Sequence, residues 1–467
     1  MRLKHNCGLF GVYESPDASR MAYLGLYSLQ HRGQESAGIV TSDGSCLHAH
    51  RALGLVSECF EDVTLSRLVG NIAIGHNRYS TTGSTRSDNI QPLVVDLKGG
   101  PLAIGHNGNL VNACELRAGM EREGSIFQSS MDSEIIVHLM AKSGEDSLEG
   151  MLDAATHKIQ GAYSLLLMTR DAVVAVRDPR GFRPLCYGRG GDSFVFASES
   201  CGLDVVGVGL EREVDPGEMI IARSGELTSR RFAACERLSL CVFELIYFSR
   251  PDSLVFGVSV DAVRKAFGRR LAQEHPADAD LVISVPDSSN AAALGYAQES
   301  GIPLELGLIR NHYVGRTFIY PTSELRHNRV RIKFNPVREL LKGKKIVVVD
   351  DSIVRGTTSK KLMRMLRGVG VKEIHVRISS PPIRFPCFYG IDTPTRSELI
   401  AANCSAGKIR KFLEVDSLGY LSVEGLLEST GLPAENFCVA CFTGDYPVTF
   451  SSEPTKLALE HFGDWSE

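Results

Sequence analysis

The sequence predicts two folded halves of different class. The first is a strand-rich α+β half over residues 7–235, and the second an α/β half with a parallel sheet over 236–467. Three observations predict this. At 467 residues the chain is too long for one ordinary core. Up to about residue 235, short strand-like runs such as GLFGVY, NIAIGHNRYS, PLAIGHNGNLV and DSFVFASES alternate with glycine-bearing polar turns. From about residue 240, strands alternate with helices, the pattern of a parallel sheet covered by helices.

In order along the chain, MRLKHN precedes Cys7 and is too short and too hydrophilic for a secretory signal. Either Cys7 is an ordinary buried thiol near a ragged terminus, or residues 1–6 exist to be removed. Strand GLFGVY follows at once. MDSEIIVHLMAKSG reads as a helix, because Ile135, Ile136, Leu139 and Met140 fall on one face. The half closes on EVDPGEMIIARSGELTSRRF, whose DPGE and SGE turns predict hairpins. Beyond the boundary, DADLVISVP leads into a helical NAAALGYAQESG. KKIVVVDD leads into a helical TSKKLMRMLRGVG, and strand KEIHVRISS comes next.

Composition narrows the class. Hydrophobic content of 43% and charged content of 23% are those of a soluble globular protein, and a net charge of -4 gives no reason to expect nucleic acid. No apolar run reaches membrane-spanning length. The 12 cysteines are scattered and follow no export signal, which argues for reduced thiols, catalysis or metal ligation in a cytoplasmic enzyme rather than a disulfide framework.

The stretch IVVVDDSIVRGTTS carries the sharpest chemistry. Ile346 to Val349 fit a buried parallel strand, and Asp350 and Asp351 fall at its carboxyl end, where open parallel sheets bind ligands. Arg355, Gly356, Thr357, Thr358 and Ser359 lead into a helix, whose first amides and hydroxyls suit a phosphate. Acids for ribose hydroxyls and magnesium, with a helix cap for a 5′-phosphate, describe a sugar phosphate site. The stretch resembles the phosphoribosyl diphosphate (PRPP) signature of type I phosphoribosyltransferases. SVPDSSNAA, with Asp287, Ser288 and Ser289, resembles the loop that receives the diphosphate. By that resemblance Ser288, Asp350 and Asp351 ligate one Mg²⁺ per subunit. RNHYVGRTFIYPTSELRHNRVRIKF, which includes Arg310, Arg316, Arg326, Arg329, Arg331 and Lys333, reads blandly as a solvated basic surface. It resembles the family's flexible loop, in which Arg316 and Lys333 would contact PRPP.

Beside CGLFGVY lie LQHRGQESAGI, GHNRYSTTG, GHNGNLVN and SSMDSE. Each polar residue alone reads as a turn or cap. Jointly they resemble the N-terminal-nucleophile class of glutamine amidotransferases, an αββα hydrolase sandwich in which a leader is cleaved to expose the cysteine. A thiol of pKa about 8.5 beside an α-amine of about 7.7–8.0 on the same residue supplies nucleophile and base together. The resemblance implies that Cys7 is the nucleophile, that Arg78 pairs with the glutamine α-carboxylate, and that Asp132 binds the α-ammonium. Asn107 and the Gly108 amide would form the oxyanion hole, and Arg32 lies near the nucleophile in a role left open between structure and catalysis.

Together the halves resemble the glutamine-dependent amidotransferases that turn PRPP into 5-phosphoribosylamine, and in YFSRPDS Tyr247, Arg250 and Asp252 stand where the two would communicate. CVAC, with Cys438 and Cys441, is weak alone: a zinc half-site, a redox pair or chance. With Cys241 and Cys387 it matches the family's cluster-bearing branch, which implies one [4Fe–4S] cluster per subunit. Feedback inhibition by purine nucleotides and a homotetramer are implied likewise. The rivals are another amidotransferase, of the glucosamine phosphate synthase or asparagine synthetase kind, and a non-catalytic PRPP- or nucleotide-sensing regulator on the same folds. A regulator would not require Cys7, Arg78, Asn107 and Asp132 together.

Overall fold

The structure is a computed structural model and describes residues 7–79, 86–235, 237–311, 332–450 and 459–460. The first half is built on two antiparallel sheets. In the seven-stranded sheet, β1 (Gly8–Tyr13) runs centrally between β10 (Ser193–Ala197) and β4 (Ile72–Arg78). Outside them lie β9 (Cys186–Gly190) and β11 (Leu210–Glu213) on one side, and β2 (Ser36–Ser42) and β3 (Leu47–Leu53) on the other. Every residue of β1 is buried, because both faces of this strand are covered.

The six-stranded sheet runs in the order β13 (Glu226–Arg231), β12 (Glu218–Arg223), β8 (Ala172–Arg177), β7 (Gly161–Met168), β6 (Gly100–Leu110) and β5 (Leu93–Leu97). Three successive cores stack the layers. Leu9, Ile74, Leu166 and Phe196 pack between the sheets. Phe10, Val12 and Val195 point outward under the helix Ala18–Ser28. Ile104, Leu165 and Val174 lie beneath the helices Ser133–Ala141 and Leu148–Thr156. This is the αββα sandwich that the resemblance implied.

In the second half, β17 (Leu281–Ser284), β20 (Lys345–Asp350), β21 (Glu373–Ile378) and β22 (Ser417–Tyr420) form a parallel sheet in that order. Alternation assigns Val347 and Val349 to one face, against Phe267 and Tyr296, and Ile346 and Val348 to the other, against Leu362 and Leu366. A parallel strand covered on both faces reads as an unbroken apolar run, which is why β20 is legible. Three short pairings complete the half: β15 (Leu254–Val255) with β16 (Val258–Ser259), β18 (Leu308–Arg310) with β19 (Phe334–Pro336), and β14 (Leu240–Cys241) with β23 (Phe437–Cys438).

The halves are joined by packing as well as by chain. Val111, Ala162 and Phe182 of the sandwich form one apolar cluster with Phe388 and Tyr389. The Phe182 and Tyr389 rings stack at 4.5 Å. Among the described residues, no helix is long and apolar enough to cross a membrane.

Candidate active sites

Cys7 stands immediately before β1 and is 6% exposed, with its Sγ donating to the Tyr79 carbonyl at 3.7 Å. Burial pushes its thiol up to about 11, reinforced by Asp132 and opposed by Arg78 and Arg32. Arg78 ends β4 and is buried, and its charge is felt by both Cys7 and Asp132. Asp132 caps the helix Ser133–Ala141 and accepts the Leu110 N–H at 3.0 Å through Oδ2, with Oδ1 3.3 Å from His106 Nδ1. Burial would raise this carboxyl, but His106 and the Leu110 amide outweigh it and hold the group below the usual carboxylate range. A buried guanidinium and a buried carboxylate within electrostatic reach of one thiol are the complement of an α-amino acid's two charges.

Asn107 is 1% exposed, and among the described residues neither its Oδ1 nor its Nδ2 has a hydrogen-bond partner. A buried amide left unsatisfied at both ends is costly and calls for an explanation, and a ligand oxygen that arrives during reaction supplies one. Beside it Gly108 has φ +153°, and a Cβ there would stand 1.9 Å from the Ala162 carbonyl oxygen and 2.9 Å from His106 Nε2. Only glycine fits.

Beneath Cys7 lies a charge network that motif reading does not resolve. Arg32 is fully buried and its Nε donates to the Cys7 carbonyl at 3.1 Å. Its Nη1 donates to Glu199 at 2.5 Å, and its Nη1 and Nη2 donate to Glu244 at 3.0 and 2.8 Å. Arg183 reaches the same Glu244 carboxylate at 3.1 Å and donates twice to the Tyr389 carbonyl. Of these residues, sequence reasoning singled out only Arg32. His106 hides in the GHNG motif, and Glu199 and Glu244 carry no local signal because their partners are distant in sequence.

The second site forms at the carboxyl end of the parallel sheet. Asp350 ends β20, and Asp351 follows with its Oδ1 accepting from Ser288 Oγ at 2.6 Å. Ser289 Oγ donates to Asp350 at 3.3 Å. Gly356 caps the helix Thr357–Gly368 at φ +72°, where a side chain would press on Ile400 and Phe412. A cleft above it is lined by Asp350, Ser352, Gly356, Thr358 and Ser359, with Val285 and Phe334 as its apolar wall. Asp287 pairs with Arg310, Arg355 with Glu398 at 2.6 Å, and Lys333 stands 5.2 Å over the Phe334 ring. Thr357 opens the helix. Arg316, Arg326, Arg329 and Arg331 lie outside the described residues, as does the leader 1–6.

Cys241 and Cys438 are register partners across β14 and β23, and Cys441 follows within the next turn. Burial raises the thiols of Cys241, Cys438 and Cys441, and Cys387 adds its field to each. Cys387 Sγ accepts the Tyr389 N–H at 3.4 Å. Among the described residues, no group of three or more His, Cys, Asp or Glu side chains stands at metal-holding spacing. Cys241, Cys438 and Cys441 nevertheless each feel the charge of at least one other cysteine, and as thiolates the four would need a cationic centre, so the donor types suit a cluster chemically. Of the four cysteines, Cys241 precedes the turn Glu244–Phe248 and the other three follow it.

The glutamine amidotransferase domain family matches residues 76–204, and the phosphoribosyl transferase domain family matches residues 259–379. Over 451 residues the chain is 50% identical to the amidophosphoribosyltransferase of Bacillus subtilis, covering 96% of this chain and 95% of that one. The chain belongs to the amidophosphoribosyltransferase family. The family's Archaeoglobus fulgidus member is 48% identical over 454 residues, covering 96% of this chain and 99% of that one. Among solved structures, one described as the allosteric regulatory enzyme of purine biosynthesis superposes with a TM-score of 0.93 at 49% identity, over 97% of this chain and 99% of that one. Another, a glutamine PRPP amidotransferase from Bacillus subtilis complexed with ADP and GMP, gives 0.92 at 48% identity, over 97% and 100%. The family's two domain descriptions fall one on the antiparallel sandwich and the other on the parallel sheet.

Proposed function

We infer that this chain converts PRPP, glutamine and water to 5-phosphoribosylamine, diphosphate and glutamate, the committed step of purine synthesis. One observation carries the reading: a buried thiol within reach of a buried guanidinium and a buried carboxylate, and a cleft with an acid pair and a helix cap, occur on one chain of this family. In the first half-reaction Cys7 sulfur bonds to the glutamine amide carbon while Arg78 and Asp132 hold the substrate's charged ends. The oxyanion lies against Asn107 and the Gly108 amide, ammonia leaves, and water cleaves the thioester to glutamate. In the second, ammonia bonds to C1 of PRPP as the C1–oxygen bond to diphosphate breaks. Asp350 and Asp351 face the ribose, and Gly356, Thr357, Thr358 and Ser359 cradle the 5′-phosphate. Asp287, Ser288, Ser289, Arg355, Arg316 and Lys333 attend the diphosphate side. Ammonia passes internally, because in water near neutral pH it would be protonated and unable to attack.

The electrostatics of Cys7 support removal of the leader. A thiol raised to about 11 is almost wholly protonated at neutral pH, and among the described residues the charges acting on it are Arg32, Arg78 and Asp132, none of them a base of suitable pKa. An α-amine on Cys7 itself would provide one. Ser288, Asp350 and Asp351 would hold one Mg²⁺, which supplies positive charge to the departing diphosphate. Cys241, Cys387, Cys438 and Cys441 would hold a [4Fe–4S] cluster that ties the junction to the C-terminal segment. Feedback control by purine nucleotides, a homotetramer and a cytoplasmic setting belong to the same reading.

The test is glutamate and diphosphate release from anaerobically purified protein with glutamine and Mg²⁺, with and without PRPP. Equal, PRPP-dependent release of both products is expected. No turnover with either glutamine or ammonia would overturn the reading in favour of a sensor. Intact mass of the active protein tests the leader, and full retention of residues 1–6 in active enzyme would refute its removal.

A further inference from the structure

The glutaminase nucleophile is held from beneath by a residue outside the sandwich. Arg32 fixes the Cys7 carbonyl through Nε, and the other edge of its guanidinium is gripped by both oxygens of Glu244. Glu244 is completely buried. It opens the π-helical turn Glu244–Phe248, which lies after the last sandwich strand and outside the span matched as the amidotransferase domain. Its carboxylate is itself fixed by Arg183 Nη1 at 3.1 Å and by Ser249 Oγ at 2.9 Å. The turn is clasped from the transferase side by Arg264, buried in the helix Val260–Glu274, whose Nε and Nη2 each donate at 2.8 Å to the Leu245 and Ser249 carbonyls. The charge facing Arg264 most strongly is Asp351 of the acid pair.

We propose that Glu244 is a positioning residue for the glutaminase reaction, acting through Arg32 on the Cys7 peptide. A bidentate carboxylate leaves the guanidinium no rotational freedom, so Nε stays aimed at one carbonyl and the Cys7–Gly8 peptide plane is fixed. That plane sets where the α-amine and Sγ of Cys7 point, and small misplacement of a nucleophile costs much of its rate. The sandwich alone lacks this support, since the carboxylate comes from the junction turn that the transferase half grips. Glu199 binds Arg32 through a single oxygen and cannot substitute for the fork. The inference rests on the reading of Cys7 as the nucleophile.

The experiment compares wild type, Glu244→Gln and Ser249→Ala as full-length, anaerobically purified protein. Glutamine-dependent and ammonia-dependent phosphoribosylamine synthesis are measured with saturating PRPP, and kcat and KM for glutamine are resolved separately. For Glu244→Gln, glutamine-dependent kcat is expected to fall about 100-fold. Its KM for glutamine should hold, since Arg78 and Asp132 are untouched, and ammonia-dependent synthesis should persist. Ser249→Ala keeps every charge and loses one bond to Glu244, so the same kcat-only loss is expected at smaller size, which covers the case in which Glu244→Gln fails to fold. Equal loss of both activities in Ser249→Ala, or a raised KM at constant kcat, would show a merely structural role and overturn the proposal. Wild-type behaviour of both variants would also overturn it. If wild type itself uses ammonia but never glutamine, the reading of Cys7 fails instead.

Discussion

Asn107 shows how a single side chain can be assigned by what it lacks. Because its two polar atoms are buried without partners among the described residues, the proposed oxyanion role would give it a hydrogen bond only when charge develops on the substrate oxygen. Asn107→Ala should therefore lower glutamine-dependent kcat about 100- to 1,000-fold with little change in KM, while ammonia-dependent synthesis stays intact. Gly108→Ala has a different expected signature. Positive φ and a Cβ 1.9 Å from the Ala162 carbonyl oxygen should cost at least about 2 kcal/mol, seen as a lower urea midpoint as well as a lower rate. The thiol can be followed directly by alkylation. With the leader retained, the rate at Cys7 should climb toward pH 11. In the processed protein it should level off near about pH 8, where the α-amine titrates. Asn107 and Gly108 were legible because they sit in one short motif, GHNG. Glu244 was not, since FEL beside an apolar run reads as an ordinary helix start and its partners Arg32 and Arg183 lie far away in sequence.

At the scale of elements, the strand–turn–helix unit β20 to Thr357–Gly368 gathers the proposed PRPP-binding groups in one continuous stretch. Such a unit can be read from sequence because burial, acid pair, glycine turn and helix cap are all local. The helix Ala18–Ser28 is the contrary case. Its buried residues are Ala18, Ala22, Gly25, Leu26 and Ser28, all small except Leu26, so the stripe carries little hydrophobic signal. Their smallness has a reason: at Gly25 a Cβ would stand 2.2 Å from the Phe10 ring, so the helix can settle onto β1 only without a side chain there. The separability of the two sites makes a sharp expectation. Asp350→Asn combined with Asp351→Asn should abolish PRPP consumption and diphosphate release, while some PRPP-independent glutamate release remains. Normal phosphoribosylamine synthesis by the double variant would refute the assignment of the acid pair.

Across the whole molecule, the junction is held by buried charge, and that gives its stability a definite pH dependence. Glu199 and Glu244 are both essentially inaccessible. Burial opposes their ionisation, yet His31 and Arg32 at Glu199, and Arg32 and Arg183 at Glu244, hold both carboxyls below the usual range. A carboxyl depressed in the folded state stabilises it fully above the unfolded pKa, about 4.3 for Glu, and loses that contribution as pH falls through the folded value. Asp178 acts in the opposite sense. Burial raises it to about 6, so its contribution is full below the unfolded value of about 3.9 and is lost as pH rises through 6. The thermal midpoint should therefore rise modestly from pH 7 to about pH 5 and fall steeply below about pH 4. Asp178→Asn should flatten the first limb only. Glu199→Gln should lower the midpoint at pH 7 and flatten the acid limb, because it removes one of the two buried carboxylates that compensate Arg32 and leaves Glu244 to balance the charge alone. A midpoint independent of pH from 7 to 4 in wild type would show that these groups keep ordinary pKa values, and that the junction is held by the Phe182–Tyr389 packing rather than by its charges.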